Sequence, residues 1–248
     1  MTEASNTPAA AARPLTPRQR ARTQTVADIV RLGRQHLATH GAAALSLRAV
    51  ARDLGVVSSA VYRYVESRDE LLTLLLIDAF GELGDEVDAA VAAVPEDDHA
   101  GRFMALGRAV RAWGLREPAS YALLFGSPAP GYNAPAERTT GPGTRVIVAL
   151  IGVLDAASRA GQLAVPRGSA ELASTLAADL AAIRSEYGLA IPEELVARGV
   201  LVWSSLFGAV SFEVFNQYGA DTFKAPEELF EHHLALLAGV AGLPAQPS

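Results

Sequence analysis

Residues 46–70, SLRAVARDLGVVSSAVYRYVESRDE, decide how the whole chain is read. Ser46 stands where a helix N-cap is wanted, and Leu47, Val50, Ala51 and Leu54 follow at the spacing of one inward helical face. Gly55 comes next, where the chain must turn and a positive φ costs a glycine nothing. Val56 is expected to plug the corner. A second helix is expected over 57–65, with Val57, Val61 and Val65 inward. Ser59 and Arg63 then point away from Val61, flanked by Ala60 and Tyr62. That outer face is small near its N-terminus, then aromatic and basic. A helix entering a DNA major groove needs this order, with small residues for close approach and then donors for bases and phosphates.

These residues resemble the helix-turn-helix of the TetR family of bacterial transcriptional repressors. The matching elements are Ala51, Leu54, Gly55 and Val56, then Ser58-Ser59-Ala60-x-Tyr62-x-Tyr64, then Ser67-Arg68-x-Glu70-Leu71-Leu72. Tyr64 and Val65 depart from the pattern, standing where the family usually has His or Phe. The resemblance implies that Tyr62 and Arg68 bind phosphates, and that Arg48, Ser58, Ser59, Ala60 and Arg63 lie near bases or backbone. Arg48 is the candidate for bidentate reading of a guanine. Tyr64 is either a backbone contact or a packing residue.

Charge is divided along the chain in a way that suits this reading. The 248 residues carry a net charge of −6, but residues 13–68 hold ten Arg against three acids, a net +7. Residues 69–248 hold 11 basic and 23 acidic residues, a net −12. A basic head on an acidic body fits DNA contact at one end only. Half of the chain is apolar and 19% is charged, which supports a sizeable core. There is no Cys and no basic, then apolar, leader at the N-terminus, so a cytoplasmic protein is expected. The longest apolar run, 200–215, is short for a membrane span and carries Glu213, so no membrane is expected.

The pattern elsewhere is helical, with no strand alternation and no repeat, so the expected class is all-α. Residues 1–15 are expected to be a disordered tail, 16–66 the helix-turn-helix domain, 67–241 a helical regulatory and dimerisation domain, and 242–248 a loose tail. Pro17 follows Thr16 at the expected start of a helix, which should close at Gly41. Ser67 and Glu70 form a candidate capping box opening a long helix to about Val94. Further helices are expected over 98–116, 119–125, 145–160, 170–186, 193–218 and 226–240. Residues 126–143, with four Pro and four Gly, are expected to be irregular. The run Trp203 to Gly208 resembles the C-terminal domain of a TetR subfamily with a Trp-His-Gly signature, although Phe207 stands where His is usual. Residues 121–128 resemble the same subfamily.

Leu83, Met104, Trp113, Tyr121, Phe125, Trp203 and Phe207 are the candidate effector-cavity residues. For any one of them taken alone, filling the core is the stronger reading. They gain weight as a group because the resemblance implies a small-molecule site between the body helices. His232 and His233 diverge by about 100° on a helix and His99 is isolated, so no metal site or cofactor is expected. No nucleophile motif appears, and no enzyme is expected. The expected partners are operator DNA, a small-molecule effector and a second copy of the chain. The helix over 193–218 is apolar nearly all round, which is why the dimer is expected to form through it and the last helix.

Overall fold

The computed structural model describes residues 16–164 and 172–244. The tail expected over 1–15, the helix start at 170–171 and the end of the chain from 245 lie outside them.

The first helix, α1 (Pro17–His40), opens with a complete capping box: Thr16 Oγ1 accepts from the Gln19 amide while Gln19 Oε1 accepts from the Thr16 amide. A 3-10 turn (Ala42–Ala44) leads to α2 (Leu47–Asp53) and α3 (Ser58–Val61). The long α4 (Arg68–Ala92) then runs into a body made of α5 (His99–Arg116), α6 (Pro118–Phe125), α7 (Ala136–Gly143), α8 (Arg145–Arg159), α9 (Ser174–Glu186), α10 (Glu193–Val214) and α11 (Pro226–Ala241). The described residues contain no strand, as the sequence pattern requires.

Two hydrophobic cores form, and α4 feeds both. Its Leu71, Leu72 and Leu75 pack in the head with Ile29, Leu47, Val50, Val61 and Val65. One turn further along the same helix, Ala79, Leu83 and Val87 belong to the body core. With a rise of about 1.5 Å per residue, α4 is a strut of about 37 Å spanning the two. The body closes tightly where α5 crosses α11. A Cβ added at Gly107 would press on the tip of the Leu234 side chain, so the two helices meet closely there.

Several expectations are corrected. The recognition helix is one short α-turn rather than 57–65, because Tyr62 is already its C-cap and residues 62–64 form a turn. Val57 is its extended N-cap and is 71% exposed rather than inward. Val56 does not plug the corner: its side chain is exposed, and its amide instead donates to Ala51 O. Gly55 does turn the chain, at φ 75°. Ser46 precedes α2 but makes no side-chain cap bond. Ser67 Oγ accepts from the Glu70 amide at 3.0 Å, but the reciprocal half of that capping box is missing. Glu70 turns outward to pair with Arg138, at 2.6 and 3.0 Å.

Arg138 lies on α7, inside the stretch expected to be irregular. A helix forms there because Pro135 precedes its first turn as N-cap and its opening residues Ala136, Glu137 and Arg138 suit a helix; Pro142, inside it, comes only one residue before its end. α10 ends at Val214 rather than about Tyr218, and Asn216 follows at φ 53°. Nor is the chain loose directly after α11. Leu243 is buried, and Gly242 O accepts from the Ala164 amide at 2.8 Å.

Candidate nucleic-acid interface and regulatory body

The head core is aliphatic, and its outer surface carries the cations. Arg48 on α2 and Ser59, Tyr62 and Arg63 on or just after α3 are exposed, with Ser58 and Ala60 half-buried beside them. Among the described residues, Arg18, Arg20, Arg48 and Arg63 enter no ion pair, so their guanidiniums remain available for an external anion. The start of α1 lies against the end of α3. Arg18, Arg22, Arg63 and Tyr64 line a shared groove of about 570 Å³ there. The Arg22 guanidinium lies 5.4 Å from the centre of the Tyr64 ring. Tyr64 is thus both a packing residue against the head core and the base on which a cation rests. Three Arg in one groove beside this short helix can neutralise a phosphate backbone, and Arg48 and Ser59 are exposed on the same head.

Arg68, expected at a phosphate, makes contacts within the head in this structure. It is half-buried, donates to Ala42 O at 2.9 Å and lies 3.6 Å from Asp69. Its guanidinium therefore ties the start of α4 to the turn after α1. His36 and Asp53 tie α1 to α2 at 2.6 Å. The Asp53 carboxyl is held below its ordinary range, chiefly by the bond to His36.

The seven residues expected to line an effector cavity all reach the body core, but they fill it rather than line an evident space. Leu83, Met104, Trp113, Tyr121 and Phe207 are buried, and Phe125 and Trp203 pack against them. Four contacts string the rings together: Trp113–Tyr121 at 6.4 Å, Tyr121–Phe125 at 4.9 Å, Phe125–Phe207 at 4.4 Å and Trp203–Phe207 at 5.6 Å. Rings at these separations leave no room for a ligand between them. Tyr121 OH donates to Phe207 O at 2.9 Å and shares a hydrogen bond with Ser211 Oγ at 2.9 Å. Burial pushes its pKa up to about 12, against the opposing effect of the Ser211 bond. Trp113 Nε1 is buried without a hydrogen-bond partner. Phe125 lines a seam cleft of about 940 Å³ between head and body, which has a neighbour of about 510 Å³ against α4 and α7.

The seam itself was missed from sequence. Arg34 on α1 reaches Asp78 at 3.2 Å, Glu117 at 3.1 Å, and Glu82, so one head cation joins three body carboxylates. Its partners lie 44 to 83 residues away, and no local pattern announces them. Asp155 is a second structural ion. It accepts from Arg159 and from the Ala190 and Ile191 amides, and these bonds hold its carboxyl low although burial pushes the other way. Among the described residues no group of three or more His, Asp or Glu could hold a metal. α10 is the one described helix long and apolar enough to cross a membrane, yet Leu195, Val196, Val202, Leu206, Phe207 and Val210 bury one side of it in the core.

This head matches a known family. Residues 29–75 match the bacterial regulatory proteins of the tetR family, and residues 103–237 match the tetracyclin repressor-like C-terminal domain. The chain belongs to the TetR family. It is 47% identical over 223 residues to the HTH-type transcriptional regulator Rv1816 of Mycobacterium tuberculosis, covering 90% of this chain and 94% of that one. The figures are the same for the HTH-type transcriptional regulator Mb1846 of Mycobacterium bovis. The crystal structure of the regulatory protein SCO4313 superposes with a TM-score of 0.72 at 35% identity, over 90% of this chain and 100% of that one. The protein is accordingly a DNA-binding transcriptional regulator of a non-enzymatic family, in which ligand binding and homodimers are typical.

Proposed function

We propose that this TetR-family protein is a cytoplasmic homodimeric repressor that leaves a near-palindromic operator when a small, largely apolar effector binds its body. The observation that carries this reading is α4, which holds Leu71, Leu72 and Leu75 in the head core and Ala79, Leu83 and Val87 in the body core. A displacement of the body at one end of that strut must move the DNA-reading face at the other. The domain division follows the same helix: residues 16–66 carry the reading surface, and 67–241 carry regulation and dimerisation.

DNA contact is assigned to Arg48, Ser58, Ser59, Ala60, Tyr62, Arg63 and Tyr64, with Arg68 acting mainly through its grip on Ala42. Arg48 reads a base, and Arg63 with Arg18 and Arg22 holds phosphates. The dimer face is assigned to α10 and α11, forming a four-helix bundle with their mates. Support comes from the stripe Leu201, Ser205, Gly208 and Phe212 along α10. Leu201 and Phe212 are exposed there, and Leu236 is exposed on the adjacent α11. Small residues between large exposed ones let a second helix approach closely. Two-fold symmetry of the protein would then impose two-fold symmetry on the operator. The Trp203 to Gly208 segment supports placing the body in the Trp-His-Gly-type subfamily.

The test is a titration of full-length protein against duplexes recovered from a random-sequence selection. The reading expects a near-palindromic consensus bound by two chains, and ligand-dependent release. Protein that bound such a duplex with unchanged affinity across a small-molecule library stabilising the fold would instead be a constitutive, architectural DNA binder.

A further inference from the structure

The cleft of about 940 Å³ lies between the two halves of the molecule, not inside the aromatic core. Its head wall is Leu37 and the 41–43 turn; its body wall is Ala119, Ala122 and Phe125 of α6 with the 126–130 segment, closed by Ser211 and Phe215 at the end of α10. The volume is at the upper end of small-molecule sites, which run to roughly 1,000 Å³. None of its lining residues is charged, although Arg34 and three carboxylates join the same two halves of the molecule. An ionic ligand would lose its hydration there without a counter-charge, which is costly. The polar groups offered are Ser127, Ser211 and Gln217. The Tyr121 hydroxyl proton goes to Phe207 O, so Ser211 donates to Tyr121 and keeps its own lone pairs for an incoming donor.

The head wall of this cleft is also the pivot of the reading surface. Ala42 O accepts from Arg68 at the start of α4, Leu45 is buried in the head core, and Arg48 follows five residues after Ala43. We propose that this head–body seam is the effector site, and that its ligand is a neutral, largely apolar small molecule carrying one hydrogen-bond donor for Ser211. The proposal rests on the regulatory reading above and adds the place and the chemistry. A ligand seated between Ala43 and Ala122 fixes the separation of α1 from α6, and through the turn it fixes the angle of α2 and α3. Coupling is then reciprocal: the ligand weakens DNA binding by the same factor by which DNA weakens the ligand.

The probe is 2-naphthol, neutral and apolar with one hydroxyl, followed by its fluorescence on full-length protein. Saturable binding of one probe per chain is expected, with 2-methoxynaphthalene, which lacks the donor, several-fold weaker. Ala122→Trp on the body wall and Ala43→Trp on the head wall should each weaken 2-naphthol at least about tenfold, a loss of about 1.4 kcal/mol. Thr140→Trp, which narrows the neighbouring cleft of about 510 Å³, should leave the affinity within about twofold. Helical circular dichroism of each variant identifies any loss that comes from unfolding, and because the two seam variants lie on opposite walls, either one, folded, suffices. Absence of saturable binding, full affinity in a folded seam variant, or loss in Thr140→Trp alone each overturns the proposal. A tenfold gain in probe affinity on deleting residues 1–12 also overturns it, by assigning the cleft to the chain's own tail. Binding of the selected duplex by probe-free protein is measured first. Its failure rejects the regulatory reading, whereas intact DNA binding with an insensitive seam rejects the site alone.

Discussion

The head and the body of this protein are held together by different chemistry. The head core is built from Ile, Val, Leu and Ala, with no aromatic side chain fully buried in it; its aromatics, Tyr62 and Tyr64, lie at or near the surface. The body is built around Trp113, Tyr121, Phe103 and Phe207, and it buries hydroxyls, carboxylates and guanidiniums among them. Arg111 is an instance: it donates from Nε to both oxygens of Glu213 at 2.8 Å and stands over the Phe230 ring. Short aliphatic helices make a small rigid frame whose outer face is left free for cations. Large rings and buried polar bonds make a body with directional contacts that can be rearranged. The difference teaches that head and body are distinct in material as well as in space, joined by α4, by the Arg34 seam and by α7, whose Arg138 pairs with Glu70.

The comparison breaks most visibly at its centre. Trp113→Ala should cost about 3–5 kcal/mol, because it empties the largest fully buried side chain from the body. Urea unfolding followed by circular dichroism measures it. If the shared strut makes the cores cooperative, head and body melt together; two separate transitions would show that the head stands alone.

The dimer face comes next. Leu236→Asp together with Phe212→Asp places charges on the exposed stripe of the body and touches nothing in the head. Sedimentation should shift from dimer to monomer at micromolar concentration, with operator affinity falling as the second half-site is lost. A dimer that persists would move the interface elsewhere on the body.

Within the head, Arg48→Ala should cost about 1–3 kcal/mol against the preferred base at one position per half-site, leaving other duplexes little changed. Arg63→Ala should weaken all duplexes alike and reduce the slope of log affinity against log salt by about 1. Gel shifts over a salt series separate the two, and equal losses on every sequence for Arg48→Ala would remove its base-reading role.

The smallest effect concerns pH. The Tyr121 pKa is raised to about 12 in the fold, against an ordinary value of 10.0. A group whose folded pKa is raised keeps its full contribution below the unfolded value and loses it as pH climbs through the folded one. Stability should therefore fall between pH 10 and about 12, and Tyr121→Phe should flatten that decline while costing about 1 kcal/mol at neutral pH for the lost bonds. An unchanged alkaline slope in Tyr121→Phe would place the titration elsewhere.

How much was legible depended on how local the cause was. The Gly55 turn, the Ser67 cap, the long α4 and the apolar α10 come from residues within a helical turn or two of one another, and they could be read directly. The exposure of Arg48, Ser59, Tyr62 and Arg63 was legible for the same reason, since they lie on or directly after two short adjacent helices whose inward positions are aliphatic. The grip of Arg68 on Ala42 was not, because a flexible guanidinium chooses among acceptors that only packing brings near. The same reason hid the loss of the Glu70 half of its capping box, which Arg138 captured from 68 residues away.

The amino-acid sequence by itself determined the all-helical class, the basic head on an acidic body and the family, since periodicity, charge and turn chemistry are written residue by residue. The tertiary structure alone decided that five of the seven candidates string their rings together while Phe125 among them also reaches a cleft, that Arg34 binds three carboxylates across the seam, and that the open cleft lies at that seam. Whether a ring lines a space or fills it depends on what packs against its other face. That neighbour comes from a different helix, at a distance along the chain over which no sequence period extends.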